Sequence, residues 1–250
     1  MEFLEKVVLV TGGGSGIGKA SAIAFAAQGA DVIIADIDEK GGGEVVEEIK
    51  SKEGNAVFIK TDVSNYDQVK HLMDESINIF GQIDIALNNA GIGGNGTHKT
   101  AQTELDDWDK VIAVNQSSVF YCMKEELKHM MERKSGVIIN TASIAGLKGL
   151  ANALPYVASK HAVVGMTKTA SMEYAKYGIR INALCPVFTP TNLFKPELLG
   201  PFEEKFRNRI PMKRFADVSE MSDAMLWLAS DKAGFVTGLS LQIDGGMCAF

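Results

Sequence analysis

Short runs rich in Val, Ile and Leu recur along this 250-residue chain, and longer stretches with helical spacing lie between them. The strand-like runs fall at 7–11, 31–35, 56–60, 83–87, 136–141, 179–184 and 239–243. The helical stretches fall at 16–28, 40–52, 65–80, 104–133, 155–177 and 217–230. Strands that are apolar on both faces must be covered on both faces. Alternating strands and helices achieve this through right-handed crossovers, which make the strands parallel. The order therefore predicts an α/β fold: a doubly wound sheet of seven parallel strands with helices on both faces. No long linker breaks the rhythm, so a single domain over 1–250 is expected, with one excursion at 187–212. That segment follows a strand's carboxyl end, where such sheets bind ligands. It gathers Pro190, Pro196, Pro201 and Pro211 with Phe188, Phe194, Phe202 and Phe206, a composition suited to a lid.

The first strand runs into Thr11-Gly12-Gly13-Gly14-Ser15-Gly16-Ile17-Gly18 and then a helix. Glycine loses more conformational freedom on folding than any other residue, so the cluster needs a backbone reason. A strand, a tight turn and a helix N-terminus together present free N–H groups and a positive dipole end, which attract a pyrophosphate. Gly12 suits the sharp turn, Gly16 the approach of phosphates past Ser15 and Ile17, and Gly18 the packing of helix on strand. The next strand ends at Asp36, about 20 residues on, where a carboxylate accepts hydrogen bonds from an adenosine ribose. Its charge would repel a 2′-phosphate, and neither Gly13 nor Ile37 supplies a cation. NAD(H) is thus favoured over NADP. A third strand end, Thr61-Asp62-Val63, is placed for an adenine contact or equally for a helix cap.

Tyr156 and Lys160 stand four apart in a helical stretch and share a face. An ammonium about 4 Å from a phenolate contributes roughly 4 kcal/mol at an effective dielectric near 20, enough to draw a pKa of ~10 toward neutrality. The pair therefore predicts an acidified tyrosine able to exchange a proton.

With these residues in place, the chain resembles the short-chain dehydrogenase/reductase family over nearly its whole length. The motifs are Thr11-Gly12-x-x-x-Gly16-x-Gly18, Asn88-Asn89-Ala90-Gly91, Asn115, Ser143, Tyr156-x-x-x-Lys160 and Ile243-Asp244-Gly245-Gly246. The resemblance implies a Rossmann fold and an NAD-dependent oxidoreductase that moves a hydride between the nicotinamide and a secondary alcohol or ketone. It implies Tyr156 as general acid/base, Ser143 as a donor to the same substrate oxygen, Lys160 lowering the tyrosine pKa and holding the nicotinamide ribose, and Asn115 holding a relay water. It puts Asn89, Ala90, Gly91, Pro186, Val187, Thr189 and Thr191 beside the cofactor, and Ala145 and Phe188 with Ser143 and Tyr156 beside the substrate. Val187 stands where the family has glycine, which predicts a strained positive φ. The family also implies a homotetramer, with the helices 104–133 and 155–177 at an interface.

Ile92, Ile144, Leu147, Leu150, Leu154 and Phe188 suggest an apolar pocket for a hydrophobic or cyclic substrate, shaped by 92–98, 144–154 and 187–212. Two rivals stand beside this reading. One is reduction of a 3-oxoacyl group on an acidic carrier protein, greeted by Lys128, Arg133 and Lys134. The other is a cofactor-binding regulator without catalysis.

The net charge of −6, with scattered cations, argues against a nucleic-acid partner. No run approaches the ~18 apolar residues of a membrane span. The start carries no signal-peptide pattern, and Cys122, Cys185 and Cys248 are far apart without metal spacing, which suits a reducing cytoplasm and no metal site. His71, His98, His129 and His161 read as surface or helix-solvated residues. The apolar tail 247–250 is expected to pack in its own subunit or across an interface.

Overall fold

The computed structural model describes residues 1–95 and 98–249. The apolar runs pair side by side as β1 (Val7–Thr11), β2 (Asp31–Asp36), β3 (Asn55–Lys60), β4 (Ile85–Asn88), β5 (Gly136–Thr141), β6 (Ile179–Pro186) and β7 (Ser240–Ile243). All are parallel, in the order β3-β2-β1-β4-β5-β6-β7. The registers Thr11↔Asn88, Asn88↔Asn140 and Pro186↔Ile243 bring the carboxyl ends to one edge. Strand order reverses between β1 and β4, which opens a crevice at that edge.

The crossovers are α1 (Gly16–Ala27), α2 (Glu39–Lys50), α3 (Tyr66–Phe80), α4 (Leu105–Ile112), α5 (Ser118–Arg133), α6 (Leu154–Tyr174), α7 (Glu203–Asn208) and α8 (Val218–Ala229). Successive strand residues point to opposite faces, so β1 to β6 each feed two cores, while β7 adds Leu241 and Ile243 to one. Val8, Val10, Val32 and Ile34 pack with Phe25 of α1, Val45 of α2 and Met225 of α8. Val7, Leu9, Ile33 and Ile138 pack with Leu72 of α3, Met130 of α5 and Val163 of α6.

Two expectations change, at 104–133 and at His129, and the 187–212 excursion gains its local structure. The stretch 104–133 is not one helix: α4 ends at Ile112, the backbone widens into a π turn over Ala113–Ser117, and α5 restarts at Ser118. A π turn absorbs an extra residue without ending the helix, and this one contains Asn115, which is fully buried. The segment 187–212 holds a 3-10 stretch, Pro196–Phe202, and α7, neither with a buried side chain. His129 is a brace rather than a solvated residue: its ring Nε2 accepts from the Ile83 N–H at 3.2 Å, beside Arg133, which donates to Ile83 O and Asp84. No helix among the described residues is long and apolar enough to cross a membrane.

Candidate active site

The turn after β1 forms one wall of the crevice. Gly12 has a φ of 64°, and a Cβ there would come within 2.7 Å of Ala90 Cα, so a side chain is excluded both by conformation and by space. A Cβ on Gly18 would overlap the Gly12 carbonyl oxygen. Ser15 occupies the N-cap of α1 but caps nothing, and the first turn, which contains Ile17, carries no acid. In contrast, α2, α3 and α8 are capped by Asp38, Asn65 and Asp217. The start of α1 thus keeps its N–H groups and dipole available for an anion.

Asp36 closes the neighbouring turn. Its Oδ2 accepts from the Gly14 N–H at 2.9 Å and its Oδ1 from the Asp38 N–H at 3.0 Å. Lys60, opposite Asp36 in the β2–β3 register, is paired with Glu39 at 3.1 Å, and Ile37 is exposed. The Asp62 carboxylate accepts from the Ser64 N–H at 2.9 Å, next to buried Val63. The cap of α3 is Asn65 rather than Asp62.

The turn after β4 is tied to the turn after β1. The Thr11 hydroxyl accepts from the Asn89 N–H at 3.0 Å, and the Asn89 amide donates to the Thr11 and Gly12 carbonyls at 3.2 Å. Ala90 and Gly91 follow. A Cβ on Gly91 would lie 3.3 Å from Asn115 Oδ1 and 3.6 Å from Lys160 Nζ, so this glycine stands between the glycine-rich turn and the polar residues beyond it.

Ser143, Tyr156, Lys160 and Asn115 come together there. Buried Ser143 lies just past β5; its Oγ accepts from the Ala145 N–H at 3.1 Å, and its hydroxyl is close enough to the Tyr156 phenol to draw that group's pKa down. Lys160 Nζ donates to the Thr141 carbonyl at 2.7 Å and lies 5.7 Å from the Tyr156 ring centroid. Asn115 brackets Ile92, accepting from its N–H and donating to its carbonyl, both at 2.8 Å, and also donates to Ser159 Oγ at 3.3 Å.

The acidified phenol expected from the Tyr–Lys spacing is not found. Burial pushes the Tyr156 pKa above its usual value, and the neighbouring Ser143 hydroxyl only partly opposes this. Burial also lowers Lys160 to about 8. The physical reason is that the ammonium is aimed at a carbonyl while both groups are desolvated.

The segment after β6 forms the opposite wall. Val187 is not strained: it has no positive φ, and its N–H donates to Ile243 O at 3.2 Å, extending the β6–β7 ladder past Pro186. Thr189 donates to Val187 O at 2.9 Å, and the Thr191 side chain would touch any Cβ placed on Gly16, at 3.1 Å. Phe188 stacks on Phe194 with centroids 5.1 Å apart and meets Phe206 edge-on at 5.3 Å, while Phe215 packs on Phe194. Phe188, Met247 and Cys248 pack on a buried knot of Ile144, Val187 and Ile210, and Lys148 Nζ donates to Met247 O at 2.7 Å. The tail therefore packs within its own chain through Cys248. Phe250, like residues 96 and 97 of the 92–98 loop, lies outside the described residues. Ile92 and Leu147 are half-buried, whereas Leu150 and Leu154 are exposed.

The carbonyls of Thr141 and Ile92 carried no sequence signal, because backbone partners depend on position and not on residue type. Cys185 was likewise missed as a neighbour of the site. It is fully buried and pushed to about 11 by burial, with the Ser143 backbone opposing this.

A doubly wound sheet, an uncapped glycine turn and this Ser–Tyr–Lys–Asn group define a nucleotide-linked oxidoreductase. The chain belongs to the short-chain dehydrogenase/reductase family, NAD(P)-binding oxidoreductases that act on CH–OH groups; a family model described as "Enoyl-(Acyl carrier protein) reductase" matches residues 12–248. An uncharacterized oxidoreductase of Thermotoga maritima is 42% identical over the full length of both chains. The cyclohexanol dehydrogenase of Acinetobacter sp. is 39% identical, over 98% of this chain and 95% of that protein. The crystal structure of a levodione reductase superposes with a TM-score of 0.95 at 35% identity, over 99% of each chain.

Proposed function

We propose that this chain is an NAD(H)-dependent dehydrogenase that interconverts an apolar, cyclic or otherwise hydrophobic secondary alcohol and its ketone. The observation that carries this reading is the meeting of Ser143, Tyr156, Lys160 and Asn115 beside Gly91, across from the uncapped start of α1. The uncapped turn, the side-chain-free surface at Gly12 and Gly18 and the carboxylate at Asp36 fit a dinucleotide with a free ribose 2′-hydroxyl. Gly12, Ser15, Gly16, Ile17 and Gly18 would hold its phosphates. Asp36, Ile37, Asp62 and Val63 would line its adenosine end, with Asn89, Ala90 and Gly91 along its middle. Pro186, Val187, Thr189 and Thr191 would flank the nicotinamide. The bound nicotinamide supplies or receives the hydride.

The remaining chemistry belongs to the chain. Tyr156 holds the proton that goes to or comes from the substrate oxygen, and Ser143 donates to that oxygen, so that charge developing on it meets two donors. Lys160 holds a positive charge beneath the phenol, and Asn115 fixes the Ile92 loop against the site. Ala145 and Phe188 wall the substrate, and the aromatic cluster excludes water. The raised pKa of Tyr156 keeps the proton that ketone reduction needs. Alcohol oxidation needs it removed, so oxidation should climb with pH, while reduction should stay level up to about 8, where Lys160 loses its charge. Rate profiles measured in both directions check this.

Replacing Tyr156 by Phe tests the reading. Turnover of secondary alcohols should fall by about 10²–10⁴-fold while NADH binding, read by fluorescence, persists; retained turnover would overturn the role. The carrier-protein reading is disfavoured because Lys128 is paired with Glu125 at 2.7 Å and Arg133 with Asp84 at 2.8 Å. The proposal includes one domain over 1–250, a lid at 187–212 and a homotetramer, the last checked by light scattering.

A further inference from the structure

α5 carries a glutamate that the reaction does not use. Glu126 is fully buried, and its Oε2 accepts from Asn88 Nδ2 at 3.0 Å. The second Nδ2 proton goes to Asn140 Oδ1, also at 3.0 Å, and Asn140 Nδ2 donates in turn to Thr167 Oγ1 at 2.9 Å. Both Asn88 protons are therefore used, which fixes its amide orientation. Two atoms of the joined pair have no partner: Glu126 Oε1 and Asn88 Oδ1. Both are acceptors, and a buried acceptor without a donor is costly. One proton would satisfy both.

We infer that Glu126 is held as the neutral carboxylic acid, donating from Oε1 to Asn88 Oδ1, and that this closed acid–amide ring positions Asn88 at the head of the Asn89-Ala90-Gly91 turn. Glu126 is thus a positioning residue, acting through Asn88 on the turn that braces Thr11 and Gly12. Its surroundings agree. No cation among the described residues pairs with it. From α5 only the Cys122 thiol faces it, itself kept neutral by burial. β4 and β5 present the amides of Asn88 and Asn140, α6 the Thr167 hydroxyl, and α3 the apolar Val69 beside Cys122. The charged Lys128–Glu125 pair, which Tyr66 of α3 joins through Glu125, has its lysine in solvent. Burial raises the Glu126 carboxyl to about 8, against a smaller opposing effect of the Asn88 hydrogen bond.

Ionising this acid costs the folded state. Its stabilising effect is full below the ordinary carboxylate range and is lost as pH rises toward about 8. Glu126→Gln keeps the shape and supplies an N–H in place of the acid O–H, so it should reproduce the ring at every pH. Infrared difference spectra of the full chain at pH 6 should show a protonated-carboxyl band in the wild type that E126Q lacks. The melting temperature of E126Q should pull ahead of the wild type between pH 5 and 9, by about 10 °C. The ratio of wild-type to E126Q dissociation constants for NADH should rise several-fold over the same range. Glu126→Met, which removes the ring, should melt below E126Q at every pH without its own alkaline drop. Parallel melting profiles of wild type and E126Q, absence of the band, or an E126Q that does not fold would each overturn the inference. The infrared and melting measurements do not depend on the dehydrogenase reading, so a failure there is distinct from a failure of that activity.

Discussion

On the β1 side of the crevice, loops are held by polar groups aimed at backbone; on the β6 side, they are held by aromatic rings. Asp36 fixes Gly14, Asn89 fixes Thr11 and Gly12, and Asp62 and Asn65 close the start of α3. Each such bond has a preferred direction and length, so the surface is set before any ligand arrives. Beyond β6, the segment carrying α7 rests on Phe188, Phe194, Phe206 and Phe215, with Arg207 over Phe215 and Arg209 over Phe206. Ring contacts tolerate sliding and re-packing. A shared ligand is gripped best by fixed donors, and variable substrates by adaptable apolar walls.

The strongest challenge to this contrast is Gly18→Ala. The added methyl overlaps the Gly12 carbonyl, which is backbone and cannot swing aside, so NADH affinity should fall by about 100-fold or more, some 3 kcal/mol. A variant that binds NADH normally would show that the β1 side is softer than its hydrogen bonds suggest. Asp36→Ala removes the acceptor for Gly14 as well as the negative charge proposed to face an adenosine ribose. The preference for NADH over NADPH should shrink by about tenfold, roughly 1.4 kcal/mol, in steady-state kinetics with both cofactors; an unchanged ratio would move that discrimination elsewhere. Phe206→Ala tests the other wall. Loss of two ring contacts, at about 0.5–1.5 kcal/mol each, should raise KM for alcohols several-fold and leave the NADH dissociation constant unchanged. A matching loss of NADH affinity would mean that the two walls are mechanically one. The smallest effect is expected for Asp217→Ala, which removes the capping box of α8 two residues beyond Phe215 without deleting any ring contact. It should cost about 1 kcal/mol in urea unfolding and leave kinetics intact.

The same contrast explains what was legible in the sequence. Strand positions were readable because side chains buried on both faces force β-branched runs, and the observed ends differ from them by only one or two residues. The glycine turn and Asp36 were readable because backbone geometry there admits few residue types. The break at Asn115 was not, since α4, the π turn and α5 all use ordinary helix formers and only the packing of Ile92 calls for the extra residue. α7 was hidden by Pro196 and Pro201, which read as a loop. The Tyr156–Lys160 spacing placed both side chains correctly but not their pKa values, because those depend on desolvation and on the Thr141 carbonyl. Val187 needs no glycine because its N–H continues a strand ladder.

The bond from Lys148 to the Met247 carbonyl has a practical corollary. It fastens Met247 to the loop that follows Ser143, so Met247 and Cys248 act as a shim beneath Phe188. Loosening that shim with Lys148→Met should alter which alcohols are accepted while NADH affinity stays as before.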